Sequence, residues 1–307
     1  MNAALTDAFM PARSYFEATA RQRVQQLLDA GSWREFLPPP TLASSPHLAA
    51  LDMPGAFDDG VVIGAGLLGA KAVLIAAQEG RFMGGAVGEI HGAKIVGLLR
   101  RALAEKPAAV LLLADSGGVR LHEANAGLIA VSEIMRAVLA ARAEGIAVLA
   151  LIGGSCGAFG GMAIVCSLCS AIIMSEEGRL GLSGPEVIET VMGVEEFDAR
   201  DRALVWRVTG GKHRYLMGDC ADLVADDSAA FRQSVLDCLG SPDAAPKTLD
   251  SLTSLRATQQ RLRARMARFA ACRDGSEVWA GLGITAPQEV PLLDRDGLIG
   301  LKKGLPA

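Results

Sequence analysis

Two glycine-rich turns hold the residues whose types and spacing suit chemistry. One is Gly153-Gly154-Ser155-Cys156-Gly157-Ala158-Phe159-Gly160-Gly161, inside a stretch from Gly145 to Ser175 that carries no charged side chain. The other, earlier in the chain, is Asp115-Ser116-Gly117-Gly118-Val119-Arg120. A glycine loop that opens a buried helix presents unpaired backbone N–H groups and the positive end of the helix dipole. Aimed at one oxygen, such groups form an oxyanion hole, each donor worth about 2.7–4 kcal/mol to a developing negative charge. Two holes without an evident side-chain nucleophile favour reactions in which an enolate grows on a carbonyl, usually a thioester. Loss of CO2 from a malonyl-type acyl group is such a reaction, and it starts without a catalytic base.

Side-chain chemistry fits less well. Ser116 and Ser155 sit in glycine turns, with His91, His122 and Asp115 as conceivable triad partners, but Gly154-Ser155-Cys156-Gly157 lacks the Gly-x-Ser-x-Gly elbow. His122-Glu123 follows the second turn closely and reads either as a cleft pair or as a helix-surface or interface pair. Glu89 and Glu186 are candidate acid/base groups of a hydratase, or structural loop carboxylates. Arg120 is placed to contact a phosphate or carboxylate, or to form a local ion pair; the sequence leaves both open. Cys166-x-x-Cys169 has no second pair at metal-ligand spacing and lies among apolar residues, which points to buried reduced thiols. The arginines of Leu255–Phe269 form either a solvated helix face or a dock for an acidic partner or ligand phosphates.

The elements that must position the turns follow from their flanks. Ala109–Ala114 reads as a fully buried strand before the second turn, with a helix from about Ala124 to Arg142 after it. Ile146–Ile152 reads as the strand before the first turn, with a small-residue helix running toward Cys169. Strand, Gly-Gly turn and helix therefore occur twice. Neighbouring parallel strands would bring the turns side by side at the strand ends, where α/β sheets bind ligands. Gly64-Ala65-Gly66-Leu67-Leu68-Gly69 matches a dinucleotide fingerprint, but Lys71–Ala77 and the turn Gln78-Glu79-Gly80 read better as the return of a hairpin. The expected organisation is an α/β core over residues 56–230, between a helical arm (1–55, with a helix around Ser14–Ala30) and a helical tail (231–307).

Composition narrows the class of function. The chain of 307 residues has a net charge of −4, which gives no electrostatic case for nucleic acid. Met1–Met10 has neither a basic nor an apolar signal region, and no long apolar run is free of glycine, so a cytoplasmic protein that does not enter a membrane is expected. Its six cysteines are scattered, in keeping with reduced thiols.

Three blocks in order carry a family likeness: Gly84-Gly85-Ala86-Val87-Gly88-Glu89, Asp115 to Glu123, and Gly160-Gly161 ahead of Gly181-Leu182-Ser183-Gly184-Pro185-Glu186. They resemble the N-terminal half of the acyl-CoA carboxyltransferases. Ala77-Gln78-Glu79-Gly80-Arg81-Phe82-Met83 and Met174-Ser175-Glu176-Glu177-Gly178-Arg179 bring the likeness nearer to the beta-subunit family of biotin-independent malonate decarboxylases. The resemblance implies a crotonase-like spiral of ββα units with an acyl thioester held between glycine holes. It implies Gly160, Gly161, Gly117 and Gly118 as catalytic, and Arg120, Phe159, Gly84 and Gly85 as substrate-binding. It further implies a gamma-subunit partner and malonyl thioester carried on the phosphopantetheine arm of an acyl carrier protein, with no tightly bound cofactor, no biotin and no zinc. The chain has no cysteine before Cys156, whereas acetyl-CoA carboxylase beta subunits carry an N-terminal four-cysteine zinc ribbon. His122 stands where this group is expected to have glutamine. A biotin-dependent acyl-CoA carboxyltransferase half and a non-catalytic scaffold are the alternative readings.

Overall fold

In the computed structural model, which describes residues 14–240 and 251–305, the first helix is α1 (Ala20–Leu27). Thr19 caps it in a capping box with Gln22, and its buried stripe is Ala20, Arg23, Val24 and Leu27. A short edge strand, β1 (Arg34–Phe36), and a single-turn helix, α2 (Pro46–Ala50), lead to β2 (Val61–Leu68) and β3 (Lys71–Gln78). These two strands pair antiparallel through the Gly69-Ala70 turn, where both residues have positive φ. The fingerprint-like glycines thus lie in a hairpin. Gly64 serves close packing: a Cβ there would lie 2.3 Å from the Arg34 carbonyl oxygen and 2.3 Å from the Trp33 ring. The expected N-terminal segment Met1–Met10 lies outside the described residues.

From β3 onward the sheet is parallel. Helix α3 (Glu89–Glu105) crosses to β4 (Ala109–Ala114), α4 (Ala126–Ala143) crosses to β5 (Ala147–Ile152), and a loop containing β6 (Ala158–Phe159) and α5 (Gly161–Ser167) crosses to β7 (Ala171–Ser175). Every residue of β4 and β5 is buried, as a parallel strand covered on both faces requires. On one face Ile95, Leu99, Ile134 and Val138 of α3 and α4 form the core; on the other, Tyr15, Val24 and Leu27 meet Phe231 and Val235. A two-residue strand β8 (Leu180–Gly181) pairs in parallel with β6 as a separate ribbon at the strand ends.

The remaining elements are α6 (Pro185–Met192), α7 (Arg202–Thr209), α8 (Gly211–Leu216), β9 (Asp222–Val224), α9 (Ser228–Gly240), α10 (Leu252–Phe269), α11 (Gly275–Gly281) and α12 (Arg295–Lys303). The seven-stranded sheet has the order β1-β2-β3-β4-β5-β7-β9. Trp279, Val290 and Leu298 of the C-terminal segment are buried in the same cluster as α3 and α4. Helix α10 buries no residue; it is held by Arg265, bonded to Asp219 and the Met217 carbonyl, and by Arg268 on the Gly281 carbonyl. Among the described residues no helix is long and apolar enough to cross a membrane.

Candidate active site

The strand ends of β4 and β5 deliver the two glycine turns to one place, where backbone hydrogen bonds lace four segments together. Ser116 N–H donates to the Gly157 carbonyl at 2.7 Å and Phe159 N–H to the Ser116 carbonyl at 2.9 Å. Val87 N–H reaches the Gly118 carbonyl at 2.9 Å, and Gly117 N–H reaches the Gly84 carbonyl at 2.8 Å. Ala158 N–H bonds the Arg179 carbonyl at 2.8 Å and Gly160 N–H the Leu182 carbonyl at 3.0 Å. The turns pack so closely that a Cβ on Gly160 would lie 3.3 Å from the Gly118 Cα, and Gly160 itself has a φ of +58°. Only glycine meets both demands.

This lacing distinguishes the four glycines by what their N–H groups already bond. The N–H groups of Gly117 and Gly160 are spent on carbonyls of the scaffold. Gly161, the first residue of α5, has no acceptor for its N–H among the described hydrogen bonds, as expected for an uncapped helix start. Gly118 N–H meets only the Ser116 hydroxyl, at 3.2 Å. Of the four, only Gly161 has an N–H without a bonded acceptor among the described residues, while that of Gly118 is held by the long Ser116 contact.

The expected substrate contacts divide as well. Gly84 and Gly85 turn at φ +64° and +65°; a Cβ on Gly85 would stand 1.8 Å from the Asp115 carbonyl oxygen, whereas Gly84 faces open space. Phe159 is only 2% exposed, with the Arg179 guanidinium over its ring. Of the two readings that the sequence left open for Arg120, the ion pair is present. Its side chain is fully buried, bonded to Asp59 at 2.9 Å and Glu123 at 2.7 Å. Burial pushes the Asp59 carboxyl up against the pull of Arg120. Glu123 accepts from the Glu89 N–H at 2.6 Å, and Glu89 pairs with His47 at 2.5 Å on the surface.

Arg23 escaped the sequence reading, and with it the structural role of Asp115. Arg23, on the buried stripe of α1, bonds Asp115 at 2.8 Å, and the other Asp115 oxygen accepts the Cys156 N–H at 2.7 Å. Asp115 is thus a staple between the arm and the first turn. A Cβ on Gly154 would lie 2.2 Å from its carboxyl carbon. The available signal was an arginine at an interior position of an otherwise apolar helical stripe.

His91 is wholly buried, its Nδ1 on the Asp59 carbonyl and its Nε2 on the Gln78 amide, each at 3.0 Å. Those partners assign a neutral ring with the proton on Nδ1. Burial pushes its pKa from 6.5 down to about 3, with the Arg120 and Lys94 charges adding to the shift. Below pH 6.5 the unfolded chain takes up a proton that the folded chain refuses, so this contribution to stability is complete above that pH and shrinks on acidification. The expected loss is about 2 kcal/mol between pH 7 and pH 5. Urea midpoints at the two pH values should fall further apart in the native chain than in His91→Gln.

A Carboxyl transferase domain model matches residues 13–266. The chain belongs to the carboxyl transferase family. It is 40% identical over 310 aligned residues, covering 96% of this chain and 97% of the relative, to the malonyl-S-ACP:biotin-protein carboxyltransferase MADC of Malonomonas rubra. A chain in the crystal structure of a Pseudomonas malonate decarboxylase hetero-tetramer in complex with malonate superposes with a TM-score of 0.79 at 39% identity, covering 90% of this chain and 99% of that one. The acetyl-coenzyme A carboxylase carboxyl transferase subunit beta of Fusobacterium nucleatum is 31% identical over 57% of this chain and 59% of its own length.

The carboxyl transferase architecture is crotonase-like, with the ββα succession of β2, β3 and α3 followed by helix-linked parallel strands. Within it the Ser116 hydroxyl is buried and donates to the Gly118 carbonyl, which leaves no exposed nucleophile at that turn. Cys166 and Cys169 are buried thiols, Cys166 pushed up to about 12 by burial and Cys169 also well up for the same reason. Exposed apolar residues lie on the segments that follow the two turns and on α4 and α6. Leu121, Ile129, Leu182, Val187 and Val191 are each more than half exposed, and on α6 only Pro185 is buried.

Proposed function

We propose that this chain is the beta-type subunit of a malonyl-S-acyl-carrier-protein decarboxylase, converting malonyl thioester to acetyl thioester and CO2. The thioester oxygen would sit between the N–H groups of Gly161 and Gly118. Cleavage of the bond from C2 to the carboxyl carbon sends its electron pair through C2 onto that oxygen; CO2 departs, and C2 then accepts a proton. The two amides bind the enolate more strongly than the ground-state carbonyl, which is the condition for catalysis. The observation that carries the reading is the open N–H at the start of α5, set against the second glycine turn. The Pseudomonas decarboxylase likeness supports the reaction.

The exposed apolar residues on the turn segments, α4 and α6 support a partner seated against them. We assign that place to a gamma-type subunit, with the acyl carrier protein delivering the arm. The enzyme is then complete only as the complex. No biotin, metal or other bound group enters this scheme.

The name of the Malonomonas rubra relative favours a second reading, in which the carboxyl group goes to a biotin protein. The same enolate forms in both. CO2 release from malonyl-carrier protein separates them, assayed with this chain alone and then with a gamma-type subunit, in the presence of avidin. Release in the mixture alone, indifferent to avidin, is the expected result. Release abolished by avidin would instead support transfer to biotin.

A further inference from the structure

A cavity of about 470 Å³ is bounded by α5, β8, α8 and α10. Its near wall is apolar, with Ile164 and Leu182, and its far wall carries Arg214, Asp219 and Arg261. The near wall is continuous with the proposed hole. Leu182 supplies the carbonyl that receives the Gly160 N–H, and α5, which begins at Gly161, ends at Ser167 on the cavity, about 9 Å along the helix axis.

The charges of the far wall do not cancel. Asp219 is shared between Arg214 at 3.2 Å and Arg265 at 3.0 Å. Arg261 has no acceptor among the described residues, and the Nε of Arg214 is buried without a partner. Arg214 and Arg261 line the cavity with Asp219 as its one carboxylate, which leaves the lining with an excess of positive charge in a chain whose net charge is −4. Guanidinium groups with unused donors match the oxygens of a phosphate ester. An apolar trough that starts at the hole and ends in such donors fits a chain-like thioester with a phosphate at its far end.

We infer that this cavity seats the phosphopantetheine arm, with Arg261 as the ligand of its phosphate and Arg214 beside it. The inference rests on the thioester reading above, and it gives the arginines of α10 two separate duties. Arg265 and Arg268 fasten the helix to the body, while Arg261 meets the substrate. The same phosphate ester arrives either on a carrier protein or on free coenzyme A.

The test compares malonyl-carrier protein, malonyl-coenzyme A and malonyl-pantetheine, which lacks the phosphate, as substrates of the complex with its gamma-type subunit. The native complex should show a KM for both phosphorylated substrates lower by on the order of tenfold than for malonyl-pantetheine. Arg261→Gln should abolish that preference, and Arg261→Lys should restore part of it. A preference unchanged in Arg261→Gln overturns the inference. So does a loss confined to the carrier protein, which would place Arg261 on the protein surface of the carrier. Calorimetry with 4′-phosphopantetheine against pantetheine reads the site without turnover: the native complex should favour the phosphorylated compound and Arg261→Gln should not. A complex that releases no CO2 from any of the three substrates, yet discriminates in calorimetry, would sink the decarboxylase reading and leave the phosphate site standing.

Discussion

Proline at position 161, in a Val131→Ala background, is expected to lower kcat for CO2 release about 10²–10³-fold while leaving the fold intact, the loss measured for removal of one oxyanion donor in other enzymes. The design follows from the position. Gly161 is the first residue of α5, where proline is tolerated because the N–H it lacks has no partner within the helix. The obstacle is steric: a Cβ at Gly161 would lie 2.6 Å from Val131 Cγ1 on α4, which is why the background substitution makes room. Gly161→Ala in the same background adds a Cβ and keeps the N–H. It should retain most of the activity. Comparable losses in the alanine and proline variants would mean that the added carbon, and not the missing donor, is responsible.

Arg120→Met carries the second large expectation. It leaves Asp59 and Glu123, both with fully buried side chains, facing each other without a counter-charge. Breaking a buried pair by removing one partner costs about 3–5 kcal/mol, here read as a lower urea midpoint. The Arg120 guanidinium also donates to the Ala86 and Asp59 carbonyls at 3.3 Å, so the loop bearing Gly84 and Gly85 loosens with it. The deficit should shrink as the pH is lowered, because the stranded carboxylates can then take up protons. An Arg120 that touched substrate would behave differently: a folded protein of near-native stability with a raised KM.

The parallel strands were legible because burial on both faces writes a continuous apolar run. Ala109–Ala114 is β4 residue for residue, and Ile146–Ile152 begins one residue before β5. The helix expected over Ala124–Arg142 runs from Ala126 to Ala143, delayed by the single-turn helix Leu121–Glu123 and by Ala124, which has positive φ. The two glycine turns were legible as neighbours because of their place after adjacent parallel strands. Which N–H groups stay open was not. That depends on Gly84 and Leu182 supplying carbonyls to Gly117 and Gly160, and a carbonyl is the same in every residue type. The Arg23–Asp115 and Arg120–Asp59 pairs join segments far apart in sequence, and charge alone names no partner. The arginine run on α10 shows the same limit: spacing could not separate Arg265, bound to Asp219, from Arg261, which faces a cavity.

The central claim is that backbone amides of this chain polarise a thioester carbonyl. It is tested most directly by isotope-edited infrared spectroscopy of carbonyl-labelled acetyl-carrier protein bound to the complex with its gamma-type subunit. The account requires the carbonyl stretch to move to lower frequency on binding to the native complex and to the Gly161→Ala, Val131→Ala variant, with that shift much reduced in Gly161→Pro, Val131→Ala. An equal shift in all three would contradict it, and would place the polarising groups elsewhere than at Gly161.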